Sequence, residues 1–580
     1  MAPASVTTAS GATWQEVAAD RQRHRDATLD QLCPPLPKLL TDDIPLNTTS
    51  IPGSLLTEEE LGITGTAVED LAAKIASGEW SSTTVVNAFL RRAAMAQKLV
   101  NCVTEILPER ALKRAAELNA YLATHKKPMG PLHGVPISVK EHVGMKGLDL
   151  NAGFVGWVGN VADEDALILR CLWEAGAVFY VRTTQPQTLM HLETSNNLYG
   201  TTINPYNSTL TSGGSSGGEG ALLGLRGSVL GIGTDIGGSI RSPAANNGVF
   251  GFKPTSLRLP VEGLAVTMAG AEHIRPTPGP LSTSVEGLRL FTKAILDRKP
   301  WLRDPTLVPL GWRDVDGEPE SRGRKLRVAV VWDDGVVRPH PPVVRALADV
   351  VEKLRASEAV EVVEWKPWRH DLAWEIIAKL YFCDGGAEEA AAIDASGEPW
   401  RPLSKWIIRD NPHVRAHTIP SLWKAIQERD AYKAKYAELW NANATTADDN
   451  NTSEVDVILC PAGPGVAPKL ETARYWGYTS QWNLLDYPAV VFPVGGDAIS
   501  VEKDGDGQQA EGAQSHAYPE DYTPLSEADA YNWALWKEHG AAGYRDAPVS
   551  LQLVGRRYED EKLLRALENL LDAAGLPRSC

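Results

Sequence analysis

The sequence predicts a mixed α/β fold built around one large layered core. Three observations carry this reading. The stretch DALILRCLWEAGAVFYVRTT (165–184) runs helix, glycine, strand, the step from which crossover sheets are assembled. KLRVAVVWDDG, PPVVRALADVVEKL and AVEVVEW form a second strand–helix–strand unit between 325 and 365. VDVILCPA and YPAVVFPVG are short, continuous apolar runs, as in strands covered on both faces.

Taken in order, residues 1–64 are polar and carry prolines, with one helix expected over Thr13–Arg23; they read as an arm packed on the body. From Thr66 the apolar residues fall at three-and-four spacing, which predicts helices through residue 99 and again over ALKRAAELNAYLATH. In GPLHGVPISVKEHV, Val135, Ile137 and Val139 alternate with Pro136, Ser138 and Lys140, a short strand that ends in a lysine. A Gly- and Ser-rich stretch fills 212–243, followed by GVFGFKPT and the helix SVEGLRLFTKAIL. Residues 311–325 read as a polar linker and 497–545 as a surface insertion. PVSLQLVGRRYEDEKLLRALENLLDAAG closes the chain with a strand and a helix.

Bulk properties narrow the function. The 580 residues are 43% hydrophobic and 22% charged, and the net charge is −16, which disfavours binding to phosphate backbones and sets nucleic acid aside. The first 30 residues lack an apolar run long enough for a signal peptide or a membrane span, so a cytoplasmic location is expected. The six cysteines are scattered, without a CxxC pair or a histidine spacing that suggests zinc; reduced thiols and no metal are expected.

The stretch 212–243 holds two Gly-Gly-Ser turns, around Ser215 and Ser239. GSVLGIGTDI reads as a strand ending near Asp235, and Ser242-Pro243 as the N-cap and first position of a helix. Ser239 then sits on a sharp strand-to-helix turn, in logic like the elbow that presents a nucleophilic serine. The N–H groups of Ile236, Gly237, Gly238 and Ser239 are candidates to receive a developing oxyanion, each worth roughly 3 kcal/mol of barrier. A tight structural turn accounts for an isolated Gly-Gly-Ser equally. GGSSGG lacks the Lys-Ser/Thr ending of a phosphate loop, which disfavours nucleotide binding. A nucleophilic serine needs a base, yet His133, His142 and His191 stand in ordinary contexts and read as structural or pocket-lining. Lys140, at the end of an apolar strand, is either ion-paired or held neutral by burial, and neutrality at pH 7 costs roughly 4–5 kcal/mol.

Taken together and in order, PLHGVPISVKEH, SGGSSGGEGA, GTDIGGSIRSPAA and GVFGFKPT resemble the amidase signature family. The likeness runs from about residue 65 to 580 as one catalytic domain, with 311–450 as an inserted α/β and lid-like region. The helical NCVTEILPERAL segment, FYVRTTQPQTLM and DASGEP resemble the fungal acetamidases and fatty acid amide hydrolase. The resemblance implies a large mixed, twisted β-sheet sandwiched between α-helices. It also implies a triad of Lys140 as base, Ser215 as bridge on a cis peptide, and Ser239 as acyl-forming nucleophile. Ser216 and the pair Asp235 and Arg241 match as supports of the turn.

The activity so implied is hydrolysis of a carboxylic amide to acid and amine or ammonia, without cofactor, on a small aliphatic, aryl or fatty acyl amide. Leu189, in QTLMHLET, matches an acyl-pocket position of fatty acid amide hydrolase. Residues 398–423 place Trp and Ile among basic residues, which fits a lid, a peripheral membrane contact or an ordinary amphipathic surface. The rival readings are a glutaminase-type subunit of an amidotransferase and a non-catalytic binding protein on the same fold. A small-molecule amide is the expected partner, and a homodimer the assembly considered.

Overall fold

The computed structural model describes residues 11–36, 44–315, 324–442, 454–504 and 517–580. The expected linker at 311–325 therefore lies partly outside the described residues, as does part of 497–545. The strands, in chain order, are β1 (Val103–Ile106), β2 (Pro136–Lys140), β3 (Val178–Thr183), β4 (Ser195–Asn196), β5 (Gly200–Thr201), β6 (Leu230–Asp235) and β7 (Phe250–Lys253). They continue with β8 (Thr277–Ser282), β9 (Leu326–Val330), β10 (Val360–Glu364), β11 (Val457–Pro461), β12 (Ala489–Ala498) and β13 (Pro548–Val554).

Eleven of them form one mixed sheet in the order β1-β3-β2-β6-β8-β7-β12-β13-β11-β9-β10, and β4 and β5 pair separately. β2 pairs in parallel with both β3 and β6, so the centre of this half carries the parallel ladder that crossover helices require. The middle of the sheet, from β6 through β8, β7, β12, β13 and β11, is antiparallel. The strand–helix–strand unit read from 325 to 365 adds β9 and β10 in parallel at the far edge, extending the same sheet. The mixed α/β architecture is thus present in full.

Apolar periodicity explains the helices that cover the sheet. Ser82–Val100 is buried along nearly its whole length and meets Ile137, Val139, Leu230 and Ile232 in one core cluster. The helical run from Thr66 is broken at Gly78, which takes φ +81° as the C-cap of Val68–Ser77. The arm helix spans Trp14–Leu29 and begins with a Thr13–Glu16 capping box.

Two local expectations are corrected. NCVTEILPERAL, read as helical, opens with strand β1; helix begins only at Pro108, because Val103–Ile106 pairs against β3. Tertiary pairing overrides propensity there. The sequence also hides β8, TPGPLS, behind two prolines. β8 pairs with β7 only at Leu281 and Ser282, so Pro278 and Pro280 occupy the half where only the β6 edge is bonded.

Within 497–545 the helix Glu527–Gly543 buries Trp536, which joins Tyr544 in a core cluster with β12 and β13. This part of 497–545 is therefore anchored in the body rather than laid on it. Residues 398–404 are likewise tied down: Gln187 and Asn197 donate to the Glu398 carboxylate at 2.9 and 2.7 Å, and Arg401 reaches Ser195 at 2.7 Å. Ile419 and Trp423, by contrast, stand exposed on the helix Ile419–Ala442. Among the described residues no helix is long and apolar enough to cross a membrane.

Candidate active site

Lys140 ends β2 in register with Thr183 of β3. Ile137 and Val139 enter the apolar cluster, and strand alternation turns Ser138 and Lys140 to the opposite side. Lys140 is fully buried, and its Nζ lies 2.7 Å from Ser215 Oγ and 3.1 Å from Thr234 Oγ1. Burial pushes its pKa down to about 7, against the opposing pull of the Asp235 and Glu219 carboxyls.

Ser215 follows a cis Gly214–Ser215 peptide and leads directly into the helix Gly217–Gly224. A side chain on Gly214 would fall 2.4 Å from the His191 carbonyl oxygen, so only glycine fits. Ser239 lies on the turn between β6 and the helix Arg241–Asn246, and its carbonyl accepts from Ser216 N–H at 3.0 Å. That bond ties the two serine turns together. Both hydroxyl residues line one cavity.

The turn itself is built on Asp235 and Arg241, each fully buried and paired at 3.0 Å. Burial alone would raise the Asp235 carboxyl, but the facing guanidinium and the Asn483 amide outweigh it and hold it far below the usual range. Arg241 also donates to the Thr479 carbonyl, Gln552 and Asn483. The helix N-cap is Ile240, not Ser242: Asp235 accepts from Ile240 N–H at 3.1 Å and from Gly238 N–H at 2.9 Å. With the cap acceptor supplied from the strand end, the helix starts earlier and Pro243 falls within its first turn, where a missing N–H costs nothing.

This corrects the oxyanion set. The Gly238 N–H donates to Asp235 at 2.9 Å, so of the four expected oxyanion donors Ile236, Gly237 and Ser239 remain as candidates. Two hydroxyls clamp the intervening carbonyls: Tyr381 donates to Ile236 C=O at 2.6 Å and Thr479 to Gly237 C=O at 2.7 Å. Gly238 takes φ +131°, and a Cβ there would sit 2.3 Å from Thr479 Oγ1.

Above the turn lies a cavity of about 440 Å³. Ser215, Ser239 and Ile236 line it, as does Leu189, which sits half-buried at φ +60°. Leu257, Leu264, Met268, Ile274 and Leu380 make most of the remaining wall apolar. Gly237 and Gly238 form the turn without lining the cavity.

Around Lys140 stand His142, which the sequence named only as structural or pocket-lining and which does line the cavity, and residues that the sequence reading did not single out. Thr234 contacts Lys140, and His142 contacts Thr234 at 3.0 Å while its other ring nitrogen meets the Ala265 carbonyl at 3.0 Å. Glu219 is buried beside β2, taking hydrogen bonds from Ser138 at 2.5 Å and Thr183 at 2.7 Å. Tyr381 and Thr479 come from far along the chain. Only Thr234 and Glu219 had a signal, their place inside the Gly- and Ser-rich stretch.

The amidase family profile matches residues 84–564. A Schizosaccharomyces pombe protein classed as an amidase is 44% identical over 96% of this chain and 99% of its own. The acetamidase of Emericella nidulans is 38% identical over 96% of this chain and 98% of its own. Among solved structures, a fatty acid amide hydrolase superposes with a TM-score of 0.86 at 35% identity, over 97% of both chains.

Proposed function

The chain belongs to the amidase family, hydrolases of linear amides, and from that premise we propose that it cleaves amides of apolar acyl or aryl acids through an acyl–Ser239 intermediate. Neutral Lys140 takes the Ser215 proton as Ser215 takes that of Ser239. The Ser239 oxygen bonds to the amide carbon, and the carbonyl pair moves onto oxygen within reach of the free N–H groups of the turn. Collapse breaks the C–N bond, and the proton on Lys140 returns through Ser215 to the leaving nitrogen. Water then adds to the acyl carbon by the same relay and releases the acid.

The observation that carries the proposal is the 2.7 Å contact between the Lys140 amine and the Ser215 hydroxyl, both on buried side chains. A lysine whose pKa is near 7 is neutral often enough at physiological pH to act as a base. The substrate class rests on the cavity. At about 440 Å³ it falls in the ~300–1,000 Å³ range that holds drug-sized ligands, and an acetyl group fills little of it.

A fluorophosphonate probe applied to the purified chain tests the nucleophile. Wild type is labelled and Ser239→Ala is not; equal labelling of both removes Ser239 from that role.

A further inference from the structure

We infer that His142 is a positioning residue which, through the Thr234 hydroxyl, turns the Lys140 lone pair toward Ser215. The inference rests on Lys140 acting as the base, and adds what aims it.

Proton counting fixes the donor at each contact. The Ala265 carbonyl only accepts, so His142 Nδ1, 3.0 Å away, carries a proton and donates. A second bond, from Ala265 N–H to the His142 carbonyl at 2.9 Å, fixes the same pair of residues, and the Gln185 side chain accepts from His142 N–H at 3.1 Å. His142 is buried, and burial, with Lys140 and Arg182 nearby, pushes its pKa down to about 3. The ring is therefore neutral, and Nε2 has no proton to give. Across the 3.0 Å contact to Thr234 Oγ1, the hydroxyl must be the donor.

Thr234 has a single proton, and His142 takes it. The 3.1 Å contact between Lys140 Nζ and Thr234 Oγ1 is then necessarily N–H to O. A neutral amine carries two N–H bonds and one lone pair. Its two hydroxyl neighbours are Ser215 and Thr234, and Thr234 cannot supply a proton to the lone pair. Ser215 is left as the hydroxyl the lone pair can face, the orientation needed to pull a proton from it. Were His142 absent, Thr234 would be free to donate to Lys140 and occupy the lone pair. The arrangement also survives proton transfer: when Lys140 becomes an ammonium, Thr234 remains an acceptor and nothing has to rotate.

The charged and titratable groups around this unit are few. Asp235 and Glu219 favour the charged form of Lys140, while Arg182 and Lys140 disfavour a charged His142. Removing the Thr234 oxygen takes away an acceptor that stabilises an ammonium more than an amine, so the Lys140 pKa falls.

The test measures kcat, KM and the pH profile for amide hydrolysis by the purified full chain. Thr234→Val lowers kcat by roughly tenfold or more with KM little changed, and moves the acid limb of the profile to lower pH. Thr234→Ser, which keeps the hydroxyl, restores most of the rate. His142→Asn keeps a donor for Ala265 but loses the acceptor for Thr234, and lowers kcat; His142→Gln, whose amide reaches the Nε2 position, recovers part of it. In the double variant His142→Asn/Thr234→Val the loss equals that of Thr234→Val alone, because His142 acts only through Thr234. Losses that add, an unchanged kcat in Thr234→Val, or an acid limb that stays put overturns the inference. Lys140→Ala separates the two levels. Retained turnover there defeats the base assignment itself, whereas an inactive Lys140→Ala beside a fully active Thr234→Val defeats only the role of His142.

Discussion

The carbonyl of Ser239 accepts from the N–H of Ser216 at 3.0 Å, so the turn that carries one serine hydroxyl is pinned to the turn that carries the other. In the Ser215 turn a Cβ on Gly214 would meet the His191 carbonyl, and in the Ser239 turn Asp235 accepts from the Gly238 and Ile240 N–H groups. The backbone bond couples the two turns, and the Lys140 amine reaches the Ser215 hydroxyl at 2.7 Å from β2.

Removing the Lys140 amine is the most direct probe of the proposed relay. Lys140→Ala is expected to lower kcat by roughly 10²–10⁴-fold, the range of general-base catalysis. Steady-state rates, with circular dichroism to check the fold, read the result. Near-normal turnover takes lysine out of the relay.

The same lysine fixes a pH dependence. Its pKa in the folded protein is about 7, below its ordinary 10.5, and only the neutral form is a base. Activity and fluorophosphonate labelling should therefore rise with pH through about 7 and level off above it. For stability the sign is the same. Between about 7 and 10.5 the unfolded chain binds the proton that the folded site refuses, so this group's contribution grows as pH rises. A labelling rate that declines from pH 6 to pH 8 contradicts the assignment.

Arg241 is fully buried against Asp235, and Arg241→Met strands that carboxylate without its cation. The loss expected is about 3–5 kcal/mol of folding stability, measured by denaturant unfolding. The folded Asp235 pKa is depressed, so the stability it contributes is whole above the unfolded value and drains away as pH falls through the folded one. In Arg241→Met that acid-side decline becomes shallower. An unchanged midpoint shows that the pair does not support the turn.

At Gly238 both backbone and space forbid a side chain. Gly238→Ala places a Cβ 2.3 Å from Thr479 Oγ1 at φ +131° and costs roughly 1–3 kcal/mol of strain. The clash pushes on the hydroxyl that clamps the Gly237 carbonyl, so kcat falls further than stability alone explains. Full activity in Gly238→Ala refutes this account of the clamp.

How much of this was legible in the sequence follows from chain distance. Lys140, Ser215 and Ser239 stand in short motifs whose order is itself informative, and β2, β6 and the helices declare themselves by periodicity. The clamps do not. Thr479 is 242 residues from Gly237 and His142 is 92 from Thr234, and no local pattern says that they meet. β8 was hidden because its prolines are tolerated only where β7 stops pairing, a fact about the neighbour's length. The Ser242 cap was misplaced for a related reason: the acceptor that starts the helix is the Asp235 side chain, outside the helix's own first turn.

The cavity gives the prediction that decides substrate class. Leu189 lines it, half-buried and already at positive φ, so Leu189→Trp changes volume without adding a new backbone demand. An indole there takes space from a cavity of about 440 Å³. For a long-chain or aryl amide, KM rises and kcat/KM falls by roughly tenfold or more, as when apolar surface can no longer be buried. For acetamide, whose acyl group is a single methyl, the same variant changes little. A panel of acetamide, aryl-acetamides and amides of increasing chain length, run on wild type and variant, reads both trends. Wild-type kcat/KM that climbs with apolar bulk, and loses that climb in Leu189→Trp, places the acyl chain in this cavity. A flat wild-type response, or equal losses for acetamide and the long amides, means that the apolar wall does not hold the acyl group and assigns the substrate to the small-amide class.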